Sequence, residues 1–275
     1  MFVSKIVNAS LSDRDLGFLI DTVSPDVKDK QTLKQILAQD RDFRNKFVGD
    51  KKVFKRVIHD DEIFLKISPI LFFEILLRKT TQDFEKSSYT YEKSGRLRIP
   101  IFDSENLVSL LSNDSILTYL AHMLSTFTKI KSYTISFRVR DGIWHKVKFN
   151  DMDIESLARF SQSIEGEYRI VLYKRIADVC LFVLGIFPEY IENEYRYPLS
   201  GQIRSQTPGK LRLNPEKYEE EGRKFYKLVS ECLISEDMVA SNIFTNLHEH
   251  FQEAKKPLNF LAEHYLQYKK LHVFG

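Results

Sequence analysis

The segment EYRIVLYKRIADVCLFVLGIF, residues 167–187, governs how the rest of the chain is read. Its first half mixes charged and apolar residues at helical spacing, and from Ile176 onward Asp178 is its only charge. A helix with one apolar stripe lies on a surface, whereas one that is apolar all round must be enclosed by other elements. The segment therefore predicts a central buried helix, stopped at Pro188, whose ring cannot continue it. Its apolar run, residues 179–187, falls far short of the ~20 residues of a membrane span. What surrounds it is then the question for the remaining sequence.

Toward the N-terminus the pattern is again helical. Residues 11–23 follow a Ser12 cap, and residues 30–40 and 42–58 repeat apolar groups at helical spacing. Residues 68–86 give the strongest signal there, with Ser68 as cap and Pro69 at the first helical position. Glu74 and Arg78 lie four apart, in the favourable order, on its expected polar stripe. Residues 103–113 and 114–130 each open with an Asp-Ser cap signal.

Two β-hairpins are expected around that helical pair. In residues 89–102 a three-residue loop, Lys93-Ser94-Gly95, sets Glu92 against Arg96 and Tyr91 against Leu97, keeping like with like. In residues 133–149 an Arg140-Asp141-Gly142 loop pairs Val139 with Ile143, Phe137 with His145, Ile135 with Val147 and Tyr133 with Phe149. The other face then carries Arg138, Trp144, Lys146 and Lys148, with Arg140 at the tip and Arg138 opposite Trp144. A basic hairpin after two helices is the order of parts in a winged-helix DNA reader. The helix in the reading position has no charge before Lys129, however, and a groove-reading helix needs Arg, Lys, Asn or Gln.

Beyond Glu194 the chain loosens. Residues 195–213 hold two Pro, two Gly and no acid, the composition of a loop or linker. Arg196, Arg204, Lys210 and Arg212 lie there near Tyr195 and Tyr197, a mixture suited to single strands or phosphorylated ligands. Asn214-Pro215 then starts a long helix, and two more follow over residues 237–254 and 257–271. The expected fold is mainly α (α+β): a helical domain with two small antiparallel hairpins over residues 1–194, a loop or linker at 195–213, and a C-terminal helical bundle over 214–275. The bundle either stands apart or packs into the same single domain.

Candidate chemistry is sparse. Asp178 sits on the most apolar helix, with Lys174 and Arg175 one turn before it. An isolated carboxylate there is costly, so Asp178 and Arg175 form a buried polar candidate whose plain reading is an ion pair. Its alternative role is a catalytic acid or metal ligand beside Glu165, Glu167 or Glu189. His248 and His250 are two apart, roughly 200° around a helix, which does not suit one metal ion. Neither a nucleophile elbow nor a phosphate-binding glycine loop is present, so the reading assigns no catalytic residue, metal or cofactor. Cys180 and Cys232 read as reduced core thiols of a cytoplasmic protein.

The chain has 275 residues, 43% hydrophobic and 29% charged, with a net charge of +3. That near balance does not mark a dedicated nucleic-acid protein, although a local patch would suffice. The leading expectation is a non-catalytic cytoplasmic helical interaction or regulatory protein, with a protein partner or self-association and no membrane. The alternatives are nucleic-acid binding through residues 134–148 and 196–212, or an enzyme built on Asp178.

Overall fold

Helix α1, Asp13–Val23, starts where a local hydrogen-bond exchange fixes it. Ser12 accepts from the Asp15 backbone N–H, and the Asp15 carboxylate accepts from the Ser12 N–H at 3.1 Å. The other Asp15 oxygen reaches across to accept from Ser68 N–H at 2.7 Å. One buried carboxylate thus secures two helix starts, because Ser68 itself caps α6, Pro69–Phe84. The structure is a computed structural model. It describes residues 11–87, 89–94, 97–101, 103–129, 132–140, 143–150, 152–162, 164, 167–189, 214–235 and 237–274, with the backbone alone over 91–99, 132–140, 143–150 and 167.

Between α1 and α6 lie α2 (Lys30–Gln39), α3 (Arg41–Val48), α4 (Lys51–His59) and the short α5 (Ile63–Lys66). The helical pattern of residues 42–58 is divided, since Gly49 closes α3 and Asp50 caps α4 through Lys52 N–H. Helix α6 is the centre of this part and packs against α3, α4, α7 (Ser104–Ser112) and α8 (Asp114–Thr126). Leu71, Phe72, Phe73, Ile75, Leu76 and Leu77 are buried. Each such side chain removed from water stabilises by about 1.5–3 kcal/mol before the ordering cost. The cap of α8 is Asn113, which accepts from the Ser115 and Ile116 N–H groups, so Asp114 is the first helical residue rather than the expected cap. Asp103 precedes α7 but caps nothing, because its carboxylate is held by Thr90 and Lys256.

Strands β1 (Thr90–Ser94) and β2 (Leu97–Ile101) pair only with each other, as do β3 (Ser132–Arg140) and β4 (Ile143–Asn150). No larger sheet forms among the described residues. The fold is mainly α, and the α+β part of the expectation does not stand, since the helices have no sheet layer to pack on. The expected register of the first ribbon is also corrected. Ser94 stands opposite Leu97, Glu92 opposite Ile99 and Tyr91 opposite Pro100, so two residues rather than three join the strands. Polar and apolar residues therefore face one another across the ribbon, as Glu92 and Ile99 do. In the second ribbon Tyr133 stands opposite Phe149, Ile135 opposite Val147, Phe137 opposite His145 and Arg138 opposite Trp144. The pairing then shifts, placing Arg140 rather than Val139 opposite Ile143.

The chain divides into two compact units: Met1–Thr128 with Lys256–Val273, and Lys129–Lys255 with Phe274–Gly275. This does not coincide with the division expected at residues 195–213. In the second unit, α10 (Glu167–Ile186) packs against α9 (Ile154–Gln162) and, most extensively, α11 (Pro215–Leu233), which also packs against α12 (Met238–Glu249). Elements on both sides of residues 195–213 therefore share one core. Helix α11 is thus covered on one side by α10 and on another by α12.

Helix α10 is buried continuously from Ile176 to Ile186, as its composition requires. Gly222 lets α11 approach it: a Cβ there would lie 2.6 Å from the Phe251 ring and 3.0 Å from Cys180 Cβ. The expected break at Pro257 is displaced. His250 leaves helical geometry, α13 (Phe251–His264) begins directly after it, and Pro257 lies inside α13. Helix α14, Lys270–Phe274, follows. Cys180 is buried, and burial pushes its thiol pKa well up. Cys232, expected in the core, is exposed, because it falls on the outer side of α11.

Candidate functional site

Asp178 is 1% exposed and engaged on both oxygens. Lys174, also buried and one turn earlier on α10, donates to Oδ2 at 2.5 Å. The Tyr226 hydroxyl on α11 donates to Oδ1 at 3.0 Å. Tyr226 is itself enclosed, stacked on Phe244 at 5.9 Å between ring centroids and near Phe251 at 6.2 Å. A carboxylate enclosed and held in this way joins two helices and offers no open face to a substrate. The reading of Asp178 with Arg175 as the buried polar pair is corrected in its partner: Arg175 is half-buried and Lys174 is the buried base. A four-residue step is closer to a full helical turn than a three-residue step, which brings Lys174 over Asp178.

Of the acids expected near Asp178, only the Glu189 side chain is described. Glu189 is exposed, and Glu165 and the Glu167 side chain lie outside the described residues. Outside them too are the side chains of Arg138, Arg140, Trp144, Lys146 and Lys148, and all of Arg196, Arg204, Lys210 and Arg212. His248 meets the Arg223 carbonyl at 3.0 Å, and His264 stacks on Phe260 with centroids 4.0 Å apart. Among the described residues no group of three or more His, Cys, Asp or Glu is placed to hold a metal, and no helix is long and apolar enough to cross a membrane.

The first unit holds a polar cluster that sequence reasoning did not assemble. Glu74, expected on a wet stripe, is 2% exposed, because α3 and α8 cover that side of α6. It accepts from Arg78 Nη2 at 3.0 Å. Arg78 also donates to Asn45 Oδ1 at 2.6 Å and to Asp114 Oδ1 at 3.0 Å. Asn45 in turn donates to Asp114 Oδ2 at 2.6 Å, and Arg41 donates to the Asp114 carbonyl and to Thr118 Oγ1, each at 3.0 Å. Burial works to raise the Asp114 pKa. The Asn45 hydrogen bond and the charges of Arg78 and Arg41 outweigh it and hold the carboxyl below its ordinary value. The Glu74–Arg78 spacing was the one signal of this cluster in the sequence.

The same unit carries an open cleft of about 280 Å³ walled by Ile63, Phe64, Phe72 and Val273. Phe72 packs between Phe64 and Phe73, with centroids 4.8 and 5.2 Å away. Tyr268 stands at the cleft and is 91% exposed. Leu271 and Leu65, on the segments that form the cleft, are 77% and 73% exposed. Asp60 and Asp61 border it, bridged to Lys66 at 2.6 Å and Lys269 at 2.8 Å. Those lysine contacts hold both carboxyls below their ordinary pKa. Neither a protein-family model, nor a curated protein, nor a solved structure matches the chain.

Proposed function

We propose that the chain is a non-catalytic helical interaction protein that associates with a second copy of itself through the face around Tyr268. The observation that carries this reading is a projecting aromatic beside an apolar cleft, with Leu65 and Leu271 exposed on the flanking segments. Single exposed apolar residues are ordinary on protein surfaces, but an exposed aromatic at an apolar cavity is a surface shaped for contact. A two-fold interface must be complementary to itself. This face supplies both a knob, Tyr268, and a hole walled by Phe64 and Phe72. It also carries both charges, Asp61 and Lys269, so a rotated copy meets opposite signs. The buried, doubly engaged Asp178 supports the same reading, since that carboxylate is spent on structure.

Sedimentation equilibrium across micromolar concentrations tests the proposal. The wild-type chain is expected to double in mass with concentration, and Tyr268→Glu is expected to stay monomeric with an unchanged melting temperature. A wild-type chain that stays monomeric throughout, or a Tyr268→Glu variant that associates as well as wild type, overturns it.

A further inference from the structure

Three guanidinium groups surround two carboxylates in the first unit, and one of the three is not used. Arg78 is engaged by Glu74, Asn45 and Asp114, and Arg41 by the carbonyl of Asp114 and the hydroxyl of Thr118. The Nε of Arg41 also lies 2.9 Å from Asp114 Oδ2, within ion-pair distance although its N–H is not aligned for a hydrogen bond. The side chain of Arg44, one turn beyond Arg41 on α3, makes neither a hydrogen bond nor an ion pair among the described residues. Its Nε is enclosed and has no acceptor among the described residues, while the residue as a whole is half-buried. Burial and the neighbouring Arg41 and Arg78 charges disfavour its ionised form, against the attraction of Glu74 and Asp114. The cluster thus holds one positive charge more than its own acids balance.

We propose that Arg44 is the binding point for one external carboxylate, received end-on at the outer edge of its guanidinium. The planar fork matches a carboxylate with two parallel hydrogen bonds. Charge selects the class of ligand. A single negative charge closes the cluster to neutrality, whereas a phosphate dianion would leave net negative charge beside Glu74 and Asp114. The ligand is then a small monocarboxylate or a glutamate side chain, which share the recognised group. This rests on the α3–α6–α8 cluster alone and does not depend on self-association.

The test titrates the whole chain with sodium acetate, with the blocked amino acid N-acetylglutamate amide, and with sodium phosphate, at an ionic strength held constant with chloride. The readouts are the Arg44 Nε–Hε resonance and the melting temperature. Acetate or the blocked glutamate is expected to shift the resonance saturably and to raise the melting temperature. Whichever of the two acts at lower concentration identifies the source. Arg44→Gln is expected to melt no lower than wild type in chloride and to lose the carboxylate response. A response that never saturates, a phosphate response stronger than either carboxylate, or a full response in Arg44→Gln overturns the proposal. The wild-type resonance decides the matter even where the variant folds poorly.

Discussion

Replacing Asp178 by Asn keeps the shape of the side chain and removes its charge. Asn retains an oxygen that accepts from the Tyr226 hydroxyl, so what is lost is the carboxylate that Lys174 meets at 2.5 Å. Both partners are buried, with side-chain exposures of 9% and 1%, so water does not compensate. Removing one member of such a pair costs about 3–5 kcal/mol. At about 2–4 °C per kcal/mol for a protein of this size, the melting temperature should fall by roughly 6–20 °C. Circular dichroism melts and urea titrations measure the change. The combined variant Lys174→Met, Asp178→Leu, Tyr226→Phe removes every polar member of the trio and should recover most of the loss, since a buried pair replaced by apolar groups is often neutral. A loss below about 1 kcal/mol in Asp178→Asn, or a combined variant no more stable than Asp178→Asn, would refute the account of the pair as a buried structural tie.

Two further outcomes follow from the packing and the charge cluster. Gly222→Ala should destabilise by about 1–2 kcal/mol in urea titrations, because the added Cβ meets the rigid, enclosed Phe251 ring and this exceeds the ~1 kcal/mol helix-propensity gain. Stability should also fall on acidification through Asp114. Its folded pKa is depressed, so its contribution is present above the unfolded value near pH 4 and is lost as pH falls through the folded value. Asp114→Asn should be less stable at neutral pH and flatter in the acid range, as measured by denaturation at a series of pH values.

The parts that were legible in the sequence are those set by neighbours along the chain. Ser12, Ser68 with Pro69, and Asn214 with Pro215 mark helix starts because a cap hydrogen bond reaches only two or three residues. The enclosure of α10 was legible because no apolar stripe can be assigned on a helix that is apolar all round. The same local reading misplaced Cys232, whose surroundings in sequence resemble those of Cys180 but whose position on α11 faces outward. It also started the last long helix at Pro257, whereas that helix begins at Phe251, directly after His250, and runs through Pro257.

By itself, then, the sequence determined a mainly helical chain, most of its helix starts, and the fact that Asp178 had to be neutralised. Only the tertiary structure decided how. Tyr226 reaches Asp178 from 48 residues away, and Arg78 meets Asn45 and Asp114 from 33 and 36 residues away. Those distances have no periodic signature, because they depend on which helix faces cover one another. The same covering buried Glu74, left the Arg44 Nε without an acceptor among the described residues, and left Tyr268 exposed beside an apolar cleft.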